Sequence, residues 1–300
     1  MKQKRMKKLG SFLLAGAMVL TMFPTFLTEV HAAENQLPAK EQFATVEELK
    51  KFNTNDNDGT ISAAKVYFGN NNHKWWIAGS QGEKELTLFA ATPLATNQQF
   101  EPDWKNNKTY REDWKCTYTG NNPVDVNPNH YGASPLRTTL KGLESSYFTS
   151  QEQDLMNDTT VYTNDIKNNS VYSTTNKLYL AYGNNIGDRY VTVGENASYS
   201  LNNGLRIDHA YFRGCLKFWL RAPLKFNNNS GQQALMGEPG DMMYGNVYGN
   251  DVDIKNALTP AFELNLSSVI FASAAPAASS DGQLSENDAF TLRYKADNLG

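Results

Sequence analysis

The sequence predicts an α+β domain: an irregular mixed or antiparallel sheet with a few short helices and long Asn- and Gly-rich loops. Three observations point there. Short aromatic runs of strand character recur along the chain, as in KVYFG, KWWIAG and CLKFWLRAP. Clusters such as FGNNNH, KNNKTY, TGNNPVDVNPN and KFNNNSGQ separate them, and Asn and Gly in such density break helices and favour turns with positive φ. Helix signals are confined to three short stretches, each opened by a capping residue.

The chain begins with a segment to set aside from the fold. Lys2, Lys4, Arg5, Lys7 and Lys8 form a basic head, residues 9–27 a mostly apolar run, and Val30-His31-Ala32 a small-residue ending. This is the pattern of a secretory signal peptide over residues 1–32, cleaved after Ala32. An uncleaved anchor is the competing reading, since the run is long enough to reach across a bilayer; Pro24 and the V-x-A ending favour cleavage. After cleavage no membrane span is expected, and the product is placed outside the cell or on its surface.

The elements then follow in order. Thr45 and Glu48 form a capping box for a short helix to about Phe52. AAKVYFG and KWWIAGS read as two strands joined by the turn at Gly69–Asn72, and ELTLFAA as a third, a meander that opens the domain. Ser134 caps a helix with Pro135 at its first position, and Leu136, Leu140 and Leu143 form its apolar stripe. Thr149 and Glu152 make a second capping box, for a helix through Leu155 and Met156. KLYLAYG, CLKFWLRAP, ALMGEPGDMMYG and PAFELNLSSVIFAS complete the sheet-forming part. ASAAPAASSDGQ reads as a linker over 272–283, closing a single domain at 33–271. AFTLRYK alternates like a strand, so 284–300 reads as the start of a further module or a disordered tail.

Within CLKFWLRAP, strand alternation puts Leu216, Phe218 and Leu220 on a core face and Lys217, Trp219 and Arg221 on the other. Pro223 ends the run. Trp219 and Arg221 read as a stacked pair, and a buried Arg221 needs an acid or carbonyls as partners. Glu263 is the acid expected to meet it. Trp76 and Trp219 are assigned to the core.

Composition narrows the function. Five of the 28 Lys and Arg and one of the 31 Asp and Glu leave with residues 1–32, so the remaining chain carries 23 basic and 30 acidic groups, a net of −7. An acidic chain without basic clusters argues against nucleic acid and against an anionic membrane surface. Cys116 and Cys215 either form a disulfide, which export permits, or are two separate buried thiols.

Recognised chemistry is sparse. In NTNDNDGTI an EF-hand alignment on Gly59 puts Asp56, Asp58 and Ile61 in place, but Thr54 takes the first ligand position and Lys65 the twelfth, so a solvated turn is the better reading. His73, His130 and His209 have no zinc spacing. No G-x-S-x-G, cysteine-protease or phosphate-loop signature occurs, so no catalytic residue, metal or cofactor is assigned. Acid pairs stand at Glu101/Asp103 and Asp251/Asp253, each sharing a face if in a strand. Trp104 and Trp114 lie in the polar segments EPDWKNN and REDWKCT. Flat aromatic faces beside amides and carboxylates suit sugars. Trp104, Trp114, Asp251 and Asp253 are therefore the candidate ligand-binding residues.

Four ordered motifs carry a resemblance. They are Val66-Tyr67-Phe68-Gly69 with Trp75-Trp76; Tyr131 to Arg137 with Phe148-Thr149 and Glu152; Phe218-Trp219-Leu220-Arg221-Ala222-Pro223; and Leu258-Thr259-Pro260-Ala261-Phe262-Glu263-Leu264. From about residue 64 to 271 the chain resembles the bacterial extracellular family of domain of unknown function 6273. It departs at Thr259, where that family has arginine, and at Phe218, where it has tryptophan. The family's W-x-R and R-P-A ending is similar to that of C-type-lectin-like and formylglycine-generating-enzyme-like folds, an analogy at the level of fold alone. The resemblance implies an extracellular module of Gram-positive type and carries over no catalytic residue.

These readings lead to a non-catalytic binding or adhesion module whose partner is an extracellular glycan or protein. A polysaccharide hydrolase with an unrecognised carboxylate pair and a structural spacer are the alternatives. A pocket holding carboxylates from different elements favours the hydrolase, and an exposed strip of Trp and Tyr favours the binder.

Overall fold

The hydrophobic strands knit into one large and one smaller sheet. The computed structural model describes residues 43–55, 63–70, 73–102, 116–118, 124–166, 169–195, 204–212, 216–224, 233–238, 246–274 and 289–295. The expected signal peptide lies outside them, as do Trp104, Trp114, Cys215 and the side chain of Cys116. In chain order the elements are β1 (Phe43–Thr45), α1 (Val46–Leu49), β2 (Lys65–Tyr67), β3 (Lys74–Gly79), β4 (Glu85–Ala90) and β5 (Ala95–Gln99). Next come β6 (Cys116–Tyr118), β7 (Val124–Val126), α2 (Pro135–Tyr147), α3 (Ser150–Asp154), β8 (Thr159–Asp165) and β9 (Ser170–Asn176). β10 (Tyr179–Leu180), β11 (Tyr190–Val193), β12 (Leu205–Asp208), β13 (Phe218–Pro223) and β14 (Gln233–Glu238) follow. The last are β15 (Asn246–Asp251), β16 (Lys255–Leu258), β17 (Pro260–Asn265), β18 (Val269–Ala274) and β19 (Phe290–Tyr294). This is the α+β class expected, dominated by strand.

The larger sheet has eight strands in the order β1-β18-β19-β2-β3-β4-β17-β10, and the smaller has five, β15-β14-β13-β16-β5. Both are mixed, with β19–β2 and β13–β16 parallel. The pairs β6–β7, β8–β9 and β11–β12 form separate two-stranded ladders. No helix among the described residues is long and apolar enough to cross a membrane.

β19 corrects the expected domain limit. It lies between β18 and β2, paired to both, so residues 290–294 are an interior strand of the main sheet and not the start of another module. Residues 272–274 of the expected linker belong to β18, and the rest of that linker falls outside the described residues. The described elements all belong to the unit Phe43–Gly300.

Capping governs the helices as the sequence predicts. Thr45 and Glu48 close a capping box on α1. Ser134 Oγ accepts from the Arg137 amide at the start of α2, and Leu136 and Leu140 are its buried stripe. In α3 the box of Thr149 and Glu152 closes, and Glu152 Oε1 also accepts from the Gly69 amide at 3.1 Å. That bond ties the β2–β3 turn to a helix some eighty residues later. Gly69 has φ +85°, and a Cβ there would stand 2.7 Å from the Tyr147 carbonyl oxygen, so glycine is required.

The core of the main sheet is aromatic. Trp75, Phe68, Phe148 and Phe262 form one cluster, with Trp75 edge-on to Phe262 at 4.8 Å and Phe68 tilted on Phe262 at 5.2 Å. Trp75 Nε1 donates to the Phe68 carbonyl at 2.9 Å, so the indole is buried without an orphaned donor. Alternation puts Trp75 and Ile77 inside; Trp76, assigned to the core by sequence, is only half-buried. It packs against Tyr211, with Lys65 Nζ 4.5 Å from its ring centroid.

In β13 both faces are buried from Phe218 to Ala222. Leu216, expected in the core, precedes the strand and is 56% exposed. Phe218 packs on Phe89 and Phe212, and Trp219 sits edge-on to Phe100 at 5.5 Å. Trp219 Nε1 donates to the Gln98 carbonyl, and Pro223 closes the strand opposite Ala234.

Candidate functional site

A single buried acid organises the described cleft. Glu263 lies at the centre of β17, opposite Thr87 of β4, while Asn265 faces Glu85. Period-two alternation puts Glu263, Thr87, Glu85 and Asn265 on one face of the sheet. Glu263 Oε2 accepts from Thr87 Oγ1 and Oε1 accepts from the Tyr179 hydroxyl, both at 2.6 Å. The Tyr179 oxygen in turn accepts from the Gly194 amide at 2.9 Å. Gly194 has φ +108°, a conformation that L side chains rarely adopt, so the turn that presents Glu195 depends on glycine. On the other side, the Asn157 amide donates to the Glu263 carbonyl at 2.8 Å and sets Asn157, Asp158 and Thr159 at the rim.

These segments enclose an open cavity of about 250 Å³ lined by Glu85, Asn157, Asp158, Thr159, Glu195 and Glu263. Four of the six are carboxylates, from four separate stretches of chain. At the rim, Lys177 Nζ donates to the Gln153 and Met156 carbonyls and stands 3.9 Å from Asp158. Among the described residues no group of three or more His, Cys, Asp or Glu has the arrangement to hold a metal ion.

The electrostatics follow from burial among like charges. Burial pushes the Glu263 carboxyl up from 4.5 to about 7; the Thr87 and Tyr179 hydrogen bonds pull against this, and Glu85 and Glu195 add to it. Glu85 is also raised, by burial first and Glu195 second, with an opposing hydrogen bond from Asn157. Tyr179 is pushed well above its ordinary 10, again by burial first and then by Glu263.

Arg221 stands behind this cluster, fully buried in β13. The expected pair with Glu263 is not formed. Arg221 Nε donates to the Tyr162 carbonyl at 3.2 Å and Nη1 to the Leu180 carbonyl at 2.5 Å. Its guanidinium lies 5.1 Å from the Tyr182 ring centroid and 6.0 Å from that of Tyr179. Tyrosines therefore supply the aromatic faces that Trp219 was expected to give. Burial lowers its pKa to about 10, which leaves it charged at neutral pH. Glu263 and Arg221 are thus both interior, and Tyr179 stands between them.

Asp251 and Asp253 lie elsewhere. Asp251 ends β15 and Asp253 follows in the turn to β16, where its carbonyl accepts from Gln99 Nε2. Both are half-buried, and neither lines the acidic cleft. Trp104, Trp114 and the Cys116–Cys215 question fall outside the described side chains. Sequence reasoning missed Glu85, Asp158 and Glu195. The available signal was a glutamate in the middle of an apolar strand, PAFELN, answered by one at the start of ELTLFA.

Another buried ionisable group, His130, lies apart from the cleft, edge-on to Tyr172 at 5.7 Å. Burial lowers its pKa to about 4, with Asp165 opposing, so it is neutral at physiological pH. The chain matches no family model, no curated protein and no solved structure.

Proposed function

We propose that this chain is an exported binding module whose acidic cleft receives a cationic group of its ligand, an amine of a protein or of an amino sugar. The observation that carries the reading is the convergence of Glu85, Asp158, Glu195 and Glu263 on one open cavity with no basic residue in its lining among the described residues. Complementary charge favours a cation there. At about 250 Å³ the cavity falls just below the range of roughly 300–1,000 Å³ typical of drug-sized ligands, so it suits one charged head group with the rest of the ligand outside. The basic head of residues 1–32 and the four-motif resemblance support export.

Calorimetric titration of the domain with glucosamine oligomers and a trilysine peptide tests the reading, with their N-acetylated forms as controls. Binding of the amines alone, weakened by salt and lost in Glu85→Gln/Glu195→Gln, is expected. Equal binding of the acetylated forms, or none of either, rejects it.

A second reading has its own support. Glu263 and Glu85 come from different strands, and a carboxyl that keeps its proton near neutrality at the foot of an open cleft is suited to general acid work. It predicts hydrolysis of polysaccharide by the wild type and none by Glu263→Gln. The near-complete burial of Glu263 and the engagement of both its oxygens favour the binding reading.

A further inference from the structure

The floor of the cleft is a junction of four chain segments. Glu263 on β17 is bonded to Thr87 on β4 and, through Tyr179 on β10, to the Gly194 amide after β11. The described charged groups lining the same cavity are all acids: Glu85 from β4, Glu195 beside Gly194, and Asp158 ahead of β8. Of the described cations nearby, Lys177 stands 3.9 Å from the lining acid Asp158, and neither it nor Arg221 pairs with Glu263. Arg221 gives hydrogen bonds to the Leu180 and Tyr162 carbonyls, beyond the Tyr179 ring, and Lys177 to two carbonyls at the rim. Among the described residues, an ionised Glu263 therefore has two hydroxyl donors but no countercharge lining its cavity. A protonated Glu263 keeps both contacts, with Thr87 Oγ1 turning to accept from the carboxyl hydrogen.

We propose that Glu263 is a proton-operated latch: holding its proton, it clamps the Gly194–Glu195 turn to the β4–β17 pair through Tyr179, and losing it, it loosens that turn. The cost of holding a carboxylate away from water supplies the loosening, with repulsion from Glu85 and Glu195 added, and it exceeds the tighter grip that an ionised Glu263 has on the Thr87 and Tyr179 hydroxyls. Burial and those two neighbours place the change near neutral pH. The latch goes beyond the binding reading and does not depend on it, because it operates in the empty protein.

The test compares wild type with Glu263→Gln, whose amide imitates the protonated acid. Three quantities are followed from pH 5 to pH 8 on the whole domain: Tm, exchange protection of the Gly194 amide corrected for intrinsic rates, and the carbon-13 shift of the Glu263 carboxyl. The carboxyl is expected to titrate near 7. The difference in Tm between the two proteins should swing by roughly 5–10 °C against the wild type as pH rises. Gly194 protection should fall in the wild type and stay level in Glu263→Gln. Tyr179→Phe, which removes one stabilising donor, should move the carboxyl midpoint upward. A midpoint near the ordinary value of about 4.3, or parallel Tm and protection profiles in the two proteins, overturns the latch; the carbon titration of the wild type decides even if a variant fails to fold. Binding of trilysine is scored separately, so a cleft that takes no amine leaves the latch standing.

Discussion

Tyr179 grips Glu263 by its hydroxyl at 2.6 Å while its ring lies toward the Arg221 guanidinium, 6.0 Å from centroid to Cζ. One side chain thereby stands between a buried acid on the main sheet and a buried cation on the smaller one. Tyr179→Phe keeps the ring and removes the hydroxyl. It strands the Gly194 amide and takes a donor from Glu263, and is expected to cost about 1–3 kcal/mol, read by urea unfolding.

Arg221→Met should destabilise less than Arg221→Ala. Methionine refills part of the volume and leaves no buried charge, while alanine adds a cavity beside Tyr179 and Tyr182. A loss of about 3–5 kcal/mol is expected for alanine. An Arg221→Ala domain that melts with the wild type would sink the account of this residue as scaffolding.

Gly69→Ala meets two penalties, a left-handed φ of +85° and a Cβ 2.7 Å from a carbonyl oxygen. A loss of roughly 1–3 kcal/mol is expected. Because Gly69 also donates to Glu152, the variant should loosen the α3 capping box, visible as lost amide protection at Glu152.

Glu263 and His130 act in opposite directions. Glu263, raised from 4.5 to about 7, contributes stability that is complete below 4.5 and lost as pH rises through 7. His130, lowered from 6.5 to about 4, contributes stability present above 6.5 and lost as pH falls through 4. Each effect is of order 3 kcal/mol, and between 4.5 and 6.5 they offset one another. Chemical denaturation across this range should be nearly level for these two groups in the wild type. Glu263→Gln should gain stability as pH rises and His130→Asn should lose it; two level variants would contradict both assignments.

A chain ending at residue 283 lacks β19, which pairs with both β18 and β2. It is expected to lose its cooperative melting transition and to bind a hydrophobic dye. A truncated chain with the wild-type transition would show that the main sheet does without this strand.

Local chemistry made much of this fold legible. Thr45, Ser134 and Thr149 start helices because a side-chain oxygen and a spaced glutamate or proline are purely local signals. The meander of β2, β3 and β4 was legible from alternation and the Asn-rich turn. Which of Trp75 and Trp76 faces inward was not, since a one-residue change of register exchanges the faces. Nor was the place of β19, because a small, polar stretch looks like a linker whether or not the next strand returns to the same sheet. The cleft was hidden for a similar reason: Glu85, Asp158, Glu195 and Glu263 meet only through pairings distant in sequence. Glu263 was noticed and given the wrong partner, because Arg221 sits on the other sheet and is satisfied by carbonyls.

The parallel pairing of Phe290 with Val66 also sets a timetable. More than two hundred further residues must emerge before β2 meets this neighbour, and until then β2 exposes an unpaired edge. The main sheet therefore closes only once both ends of the chain have arrived, and until then the open β2 edge is a place where another copy could pair.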